Sequence, residues 1–354
     1  METKYDRDIY LKSLFEGNEV YYETFLPLKE EREITFLYKM DKIISVKNYE
    51  MNIEYEEGKD FILKDGKLVI LDGSRIEGMP LDTYYGFAPI KYDIRVSKDR
   101  CPYKFKEERY LYFGEQDEIT RHQYAISYTH HDKWDGFVQK TQRDKLKRFY
   151  GKIAAKTPVN IVFYGDSIST GANSSGTVFG GNRPPYAESF PQMVVGRLRD
   201  KYKTQINMEN VSLGGMDTRW GNDNIESRAL SLSPDLLIIG FGMNDGKLEE
   251  EKHLALIKEM IDKAKASNPN IEIILIATSF PNPESTWYDG KQKEYINVYK
   301  TIEDDSIALC DITSIQKDIL KRKKYKDMTG NNINHPNDFF ARVYAQAILK
   351  VMGE

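Results

Sequence analysis

Residues 159–176 read VNIVFYGDSISTGANSSG, and the two halves of this stretch have different characters. Val159 to Gly165 is a nearly continuous apolar run, the pattern of a strand covered on both faces. Asp166 to Gly176 is rich in glycine and serine, with Gly165 permitting a tight exit from the strand. In an open α/β sheet, ligands bind beyond the carboxyl ends of the strands. Ser167 therefore stands where a nucleophile is useful, with a following helix start offering main-chain N–H groups to a developing oxyanion. The same residues equally describe a loop with an N-capping serine. A phosphate-cradling loop is disfavoured, because neither GKS/GKT nor GxGxxG is present.

Four further apolar runs follow: INMENVSL (206–213), DLLIIG (235–240), IEIILIAT (271–278) and SIALCD (306–311). Between them lie helical patterns such as LEEEKHLALIKEMIDKAKAS (248–267) and SIQKDILKRKK (314–324). Strands alternating with helices predict a parallel sheet covered on both faces. Before this region the pattern is different. VYYETF, EITFLYKM, KIISVKN, MNIEYEE, DFILKDGKLVIL, YLYFG and YAISYTHH are short aromatic and β-branched runs broken by turn residues. They predict an antiparallel β-sandwich, with Asp65-Gly66 turning a hairpin. The expected organisation is a β-sandwich domain over 1–141, a helical connector over 142–157 (QRDKLKRFYGKIAAK and Thr157) and an α/β domain over 158–354.

The chain has 354 residues, 40% hydrophobic and 30% charged, with a formal net charge of −4. That balance fits a globular protein with sizeable cores and gives no basic footprint for nucleic acid. No run approaches the length of a membrane span. METKYDRDIYLKSLF is charged from its start, and Cys101 and Cys310 are far apart and read as reduced. A cytoplasmic location is the expectation.

The second strand end reads NVSLGGMDTRWG (210–221) and the third IIGFGMND (238–245). Glycine amides and an asparagine amide are donor types that stabilise a tetrahedral oxyanion. Each alone describes a turn; together they occupy one edge of one sheet. Near the C-terminus, NNINHPND (331–338) precedes the helical pattern FFARVYAQAILKVM. A histidine between an extended loop and a helix start is placed as a general base, yet three residues before it stands Asn332 where an orienting carboxylate is usual.

GDSI (165–168), the NVSLGG block, GMND (242–245) and NHPND (334–338) resemble, in order, the four signature blocks of the SGNH (GDSL-type) hydrolases. The resemblance covers about residues 158–354. It implies a flavodoxin-like three-layer αβα hydrolase domain and a serine esterase working through an acyl-enzyme. It implies Ser167 as nucleophile and His335 as general base. It implies an oxyanion hole of the Ser167 amide, Gly215 and the Asn244 side chain, with Gly215 preferred to Gly214 because it matches the family's position five residues after the block's asparagine, Asn210. Asn332 takes the family's aspartate position as a possible third member, with Asp338 as runner-up. The N-terminal region is similar to the jelly-roll-like module of family-two carbohydrate esterases, as are ISTGANSSG, PPYAESFP and GGMDTRWG. That narrows the expected substrate to acetylated xylo- or manno-oligosaccharides, with no cofactor and no metal. The rivals are a short-chain lipid-type esterase or thioesterase and an inert sugar-binding protein.

Trp220, Trp287 and Tyr186 are candidates for packing on sugar rings, with core packing an equal reading. His130 and His131 end a strand-like run, so their side chains are expected on opposite faces, poor geometry for one ion. His122 and His253 are expected at the surface.

Overall fold

The structure, a computed structural model, describes residues 5–302 and 304–354. Its C-terminal part is built on five parallel strands: β10 (Val159–Gly165), β11 (Ile206–Asn210), β12 (Leu236–Gly240), β13 (Glu272–Ala277) and β14 (Ile307–Asp311). Their spatial order is β11-β10-β12-β13-β14. This is the flavodoxin-like order, with its switch point between β10 and β12. Alternate residues face opposite ways. Ile161, Phe163, Leu236, Ile238, Ile274 and Ile276 enter one core cluster, and Val162, Tyr164, Leu237, Ile239, Ile273 and Leu275 enter the other. Helices Phe190–Tyr202, Ile312–Ile319 and Asp338–Met352 cover the first face; Thr218–Arg228, Glu250–Ser267 and Tyr295–Tyr299 cover the second.

The N-terminal part is antiparallel. Its strands are β1 (Glu19–Phe25), β2 (Glu33–Ile34), β3 (Lys42–Asn48), β4 (Glu54–Tyr55), β5 (Phe61–Lys64), β6 (Lys67–Ile70), β7 (Tyr85–Gly86), β8 (Tyr110–Leu111) and β9 (Tyr124–Thr129). They form sheets ordered β1-β9-β3-β4, β2-β6-β5 and β7-β8. The β5–β6 hairpin turns at Asp65 and Gly66, both at positive φ (54° and 77°), as a tight primed turn requires. The expected strand over 33–40 is only two residues long. Phe36, Leu37, Tyr38 and Met40 are all buried instead of alternating, and the Leu37 N–H donates to the Glu23 carboxylate, not to a neighbouring strand.

The two parts share one core. The cluster on the first face of the parallel sheet continues through Val20, Phe25, Val46, Ile126 and Tyr128 of the antiparallel strands. Between them lies the Asp338–Met352 helix, nearly all of whose residues are buried, as expected of a sequence with apolar residues on every face and only Asp338, Arg342, Gln346 and Lys350 interrupting them. Polar ties cross the same boundary. Glu23 on β1 pairs with Lys323 at 3.1 Å, both side chains fully buried, and also accepts from Tyr128 Oη at 2.7 Å. Removing one partner of such a pair strands the other charge. Glu23→Ala is therefore expected to destabilise the protein by about 3–5 kcal/mol, measured as a lower urea midpoint; an unchanged midpoint would show that Lys323 finds compensation elsewhere.

Candidate active site

The five strand ends point the same way, and the first three bring the signature residues together. β10 ends at Gly165, where a Cβ would lie 2.3 Å from the Gly240 carbonyl oxygen and 2.4 Å from Ser169 Oγ. Only glycine permits strands this close at the switch point. Asp166 then caps the short helix Ser167–Thr170, its carboxylate accepting from the Ile168 N–H at 2.9 Å. Burial pushes this carboxyl up to about 7, against the pull of the Ile168, Met243 and Ser169 N–H groups. Ser167 is the first residue of that helix and is buried rather than set in an exposed loop.

His335 Nε2 lies 2.9 Å from Ser167 Oγ. The main chain of the histidine is held at both ends. Its N–H donates to Asn331 Oδ1 at 3.0 Å, an oxygen that also accepts from the Ile333 and Asn334 N–H groups at 3.0 Å each. Its carbonyl accepts from the Gly330 N–H at 2.8 Å and the Thr329 hydroxyl at 3.0 Å.

The residue that orients the ring is not Asn332. His335 Nδ1 lies 2.7 Å from Oδ1 of Asn173, in the nucleophile's own loop. The chain reaches this position through two left-handed residues, Gly171 (φ 82°) and Asn173 (φ 66°), the latter a conformation asparagine tolerates. Gly330 leaves room, since a Cβ there would sit 2.4 Å from Asn173 Cβ. The Asn173 amide is locked: Nδ2 donates to the Gln116 carbonyl at 2.8 Å and the Gly330 carbonyl at 3.4 Å. Carbonyls only accept, so the oxygen of Asn173 must face the ring. His335 Nδ1 then carries the proton and Nε2 presents its lone pair to Ser167.

Asn332 (φ 70°) turns away from the ring. Its Oδ1 accepts from Tyr84 Oη at 2.9 Å and Asn282 Nδ2 at 3.3 Å, and its Nδ2 donates to the Tyr112 carbonyl at 3.0 Å. It ties the histidine loop to the N-terminal part. Asp338, the runner-up, is also not at the ring: it accepts from the Ser175 N–H at 2.8 Å, and burial pushes its carboxyl up to about 6.

Burial pushes the His335 imidazole down to about 4. The amide partner brings no charge to oppose this, so the ring is neutral and able to accept a proton through the neutral range. The acid limb of kcat/KM, which reports the free enzyme, is accordingly expected near pH 4. A limb near 6.5 would instead show that the ring keeps the ordinary histidine value despite its burial. Stability has its own dependence. His335 and the buried His253, pushed down to about 3, take up protons in the unfolded chain first, near 6.5. As pH falls from there toward 4 and then 3, both progressively lower the free energy of unfolding, so the folded state loses stability.

Gly214 lies beside the nucleophile, where a Cβ would be 3.7 Å from Ser167 Cβ, and Gly215 sits in open space at φ 78°. Asn244 follows β12 after a turn at Gly242 (φ 130°) and is exposed, with Nδ2 donating to the Met216 carbonyl at 2.9 Å. That bond leaves its second amide hydrogen for a ligand. Trp220 packs on the core, 6.1 Å from the Tyr164 ring and under the Arg228 guanidinium. Trp287 and Tyr186 are exposed; Trp287 neighbours Tyr92 of the N-terminal part at 6.1 Å.

Of the other histidines, His130 is buried and stacked on Tyr38 at 3.8 Å, while His131 is exposed beside Asp41. His253 is fully buried, contrary to the surface expectation. No group of three or more His, Cys, Asp or Glu side chains among the described residues is arranged to hold a metal ion. No helix among them is long and apolar enough to cross a membrane.

Among solved structures, the chain is similar to a two-domain esterase active on acetylated mannans, at 20% identity and a TM-score of 0.49, covering 62% of this chain and 54% of that one. The same enzyme co-crystallised with mannopentaose gives 19% identity and a TM-score of 0.47, covering 62% and 56%. An acetylxylan esterase from Geobacillus stearothermophilus gives 21% and 0.45, covering 55% of this chain and 94% of that one. The chain thus spans a little over half the length of the two-domain esterase. No curated protein matches it. Residues 163–342 match the model of the GDSL-like Lipase/Acylhydrolase family. With more than half of its 354 residues inside that match and the signature residues gathered at one sheet edge, the chain belongs to the GDSL-like Lipase/Acylhydrolase family.

Proposed function

We propose that the protein is a serine esterase that removes O-acetyl groups from carbohydrates. The observation that carries the esterase reading is the contact of Ser167 Oγ with His335 Nε2, at 2.9 Å, behind which Asn173 sets the tautomer. Ser167 attacks the ester carbonyl as His335 takes its proton through Nε2. The negative charge that develops meets the Asn244 side-chain N–H and the main-chain N–H groups of Ser167 and Gly215. The imidazolium then returns the proton to the departing sugar oxygen. Water, activated by the same nitrogen, releases acetate and restores Ser167.

The choice of acetylated sugar over a long acyl chain rests on the residue types of the loops that carry the site. Gly214 beside Ser167, Gly215 and Asn244 of the proposed oxyanion hole, and Asn334 next to His335 are small or polar. On the loop after β13, Trp287 offers an exposed ring beside Tyr92, a surface suited to the apolar face of a sugar. This loop is joined to the histidine loop through the Asn282 N–H on the Ile333 carbonyl at 2.8 Å.

Labelling with a fluorophosphonate probe tests the chemistry, with modification expected at Ser167 and nowhere else. Absence of labelling in folded protein would favour an inert sugar-binding protein. Acetate release from acetylated xylo- and manno-oligosaccharides, beside acetyl and octanoyl nitrophenyl esters, tests the substrate class. A preference for the octanoyl ester would replace the carbohydrate reading with a lipid-type esterase.

A further inference from the structure

The two loops that carry the proposed oxyanion donors are fastened to each other by a buried polar chain that none of the proton-transfer steps uses. One residue beyond Asn244, the buried Asp245 carboxylate accepts from the Thr218 N–H with both oxygens, at 3.0 and 3.1 Å, and from the Thr218 hydroxyl at 2.8 Å. Thr218 Oγ1 lies 3.1 Å from His253 Nδ1, and His253 Nε2 lies 2.8 Å from Tyr299 Oη. The imidazole lies flat on the Tyr295 ring, with centroids 3.8 Å apart and an interplanar angle of 11°. Tyr295 Oη in turn donates to the carbonyls of Asp245 and Leu248.

Donor and acceptor roles along this chain have one consistent assignment. The Asp245 carboxylate only accepts, so the single Thr218 hydroxyl proton points to it. The Thr218 oxygen is then an acceptor, and His253 Nδ1 must donate. Burial keeps the ring neutral, so Nε2 accepts and Tyr299 donates. Every member is satisfied, which in a low-dielectric interior makes the arrangement rigid.

We propose that His253 is a positioning residue for the oxyanion hole. Acting through Thr218 and Asp245, it holds segment 214–218 against the turn 242–246, so that the Gly215 N–H and the Asn244 amide converge on one point. The proposal rests on the esterase reading of Ser167 and His335. It gives a function to a histidine that local packing alone would otherwise account for.

The test compares three variants on nitrophenyl acetate. His253→Phe keeps an aromatic ring on Tyr295 and removes both nitrogens; Thr218→Val removes the hydroxyl at nearly constant shape; Thr218→Ser keeps it. Loss of one oxyanion donor costs about 10²–10³-fold in turnover, and misplacing two by a fraction of that is expected to lower kcat about 10-fold. KM should stay within about two-fold, because the donors act mainly on the transition state. Phosphonylation of Ser167 should slow in parallel, and Thr218→Ser should return near the wild-type rate. Unchanged kcat in Thr218→Val, or a loss confined to KM, would overturn the proposal; Thr218→Val decides alone if His253→Phe does not fold. A wild-type protein that neither hydrolyses the ester nor reacts with the probe would overturn the esterase reading instead. The Asn244 side-chain amide resonances then test the clamp: broadening in Thr218→Val supports it, and an unchanged pair overturns it.

Discussion

Alanine at Ser167 or at His335 is expected to lower turnover by about 10⁴–10⁶-fold, with acetate release from a nitrophenyl or sugar ester as the measurement. The two losses should be similar and should not add. Without the hydroxyl there is no acyl-enzyme for His335 to build, and without the imidazole the hydroxyl is too weak a nucleophile to attack. Ser167→Ala removes one oxygen from the first turn of a short helix whose N-cap is Asp166, so folding should be unaffected. His335→Ala empties a buried ring site and should cost some stability as well. For that reason Ser167→Ala is the cleaner test of chemistry. A substantial residual rate in Ser167→Ala would move the nucleophile elsewhere, with Ser169 the first alternative. Ser169 is also buried, but its hydroxyl lies 3.3 Å from the Gly240 carbonyl.

The parts of this molecule that read correctly from sequence are those whose signal is local. The strands at the middle of the parallel sheet are buried along their length and read as nearly continuous apolar runs, LLIIG in β12 and IILIA in β13. The edge strand β11, INMEN, instead alternates exposed with buried or half-buried residues and is legible from its place in the βαβ alternation. A two-residue Asp-Gly turn announces its hairpin because few other pairs adopt two successive positive φ angles. Residues 36–40 misled because aromatic runs mark strands on average, whereas here they fill the core without a ladder. His253 misled because its helix carries so many charges. Its spacing to Ile257, Met260, Ile261 and Ala264 puts it on the one buried stripe, and all five are buried. That periodicity was present in the sequence and marks the histidine as interior. Asn331, whose side-chain oxygen gathers three loop N–H groups, carries no role in the sequence reading, although asparagine is a residue type suited to it. The partner of His335 was not legible: Asn173 lies 162 positions away, and its approach depends on two left-handed residues and on the absence of a side chain at Gly330. The sole hint was an asparagine shortly after a glycine in the nucleophile's loop.

Asn173→Ala is expected to reduce kcat about 10²–10³-fold, while Asn332→Ala is expected to change stability more than rate. The first figure lies below the roughly 10⁴-fold loss that a wrong tautomer causes in a serine triad. Asn173 contributes orientation and tautomer choice but no negative charge to stabilise the imidazolium, so less is lost with it. Asn332 holds Tyr84, Asn282 and the Tyr112 carbonyl. Its removal leaves buried polar groups unmatched, at about 1–3 kcal/mol, and moves the acid limb little. A third substitution explains why this position carries an amide. Asn173→Asp supplies the charge that a conventional triad has, yet it places a carboxylate against the Gln116 and Gly330 carbonyls, which need a donor. One of two outcomes is then forced on the buried aspartate: repulsion that loosens the loop, or a proton taken up to keep a donor. Either way the variant should be less stable than wild type and no more active, although its charge, where retained, would raise the pKa of His335 and shift the acid limb above 4. The decisive comparison is kcat of Asn173→Ala and Asn332→Ala on the same ester at a temperature where both are folded. Equal losses would return Asn332 to the relay, and a near-wild-type rate in Asn173→Ala would show that Ser167 and His335 work as a dyad whose tautomer is set without it.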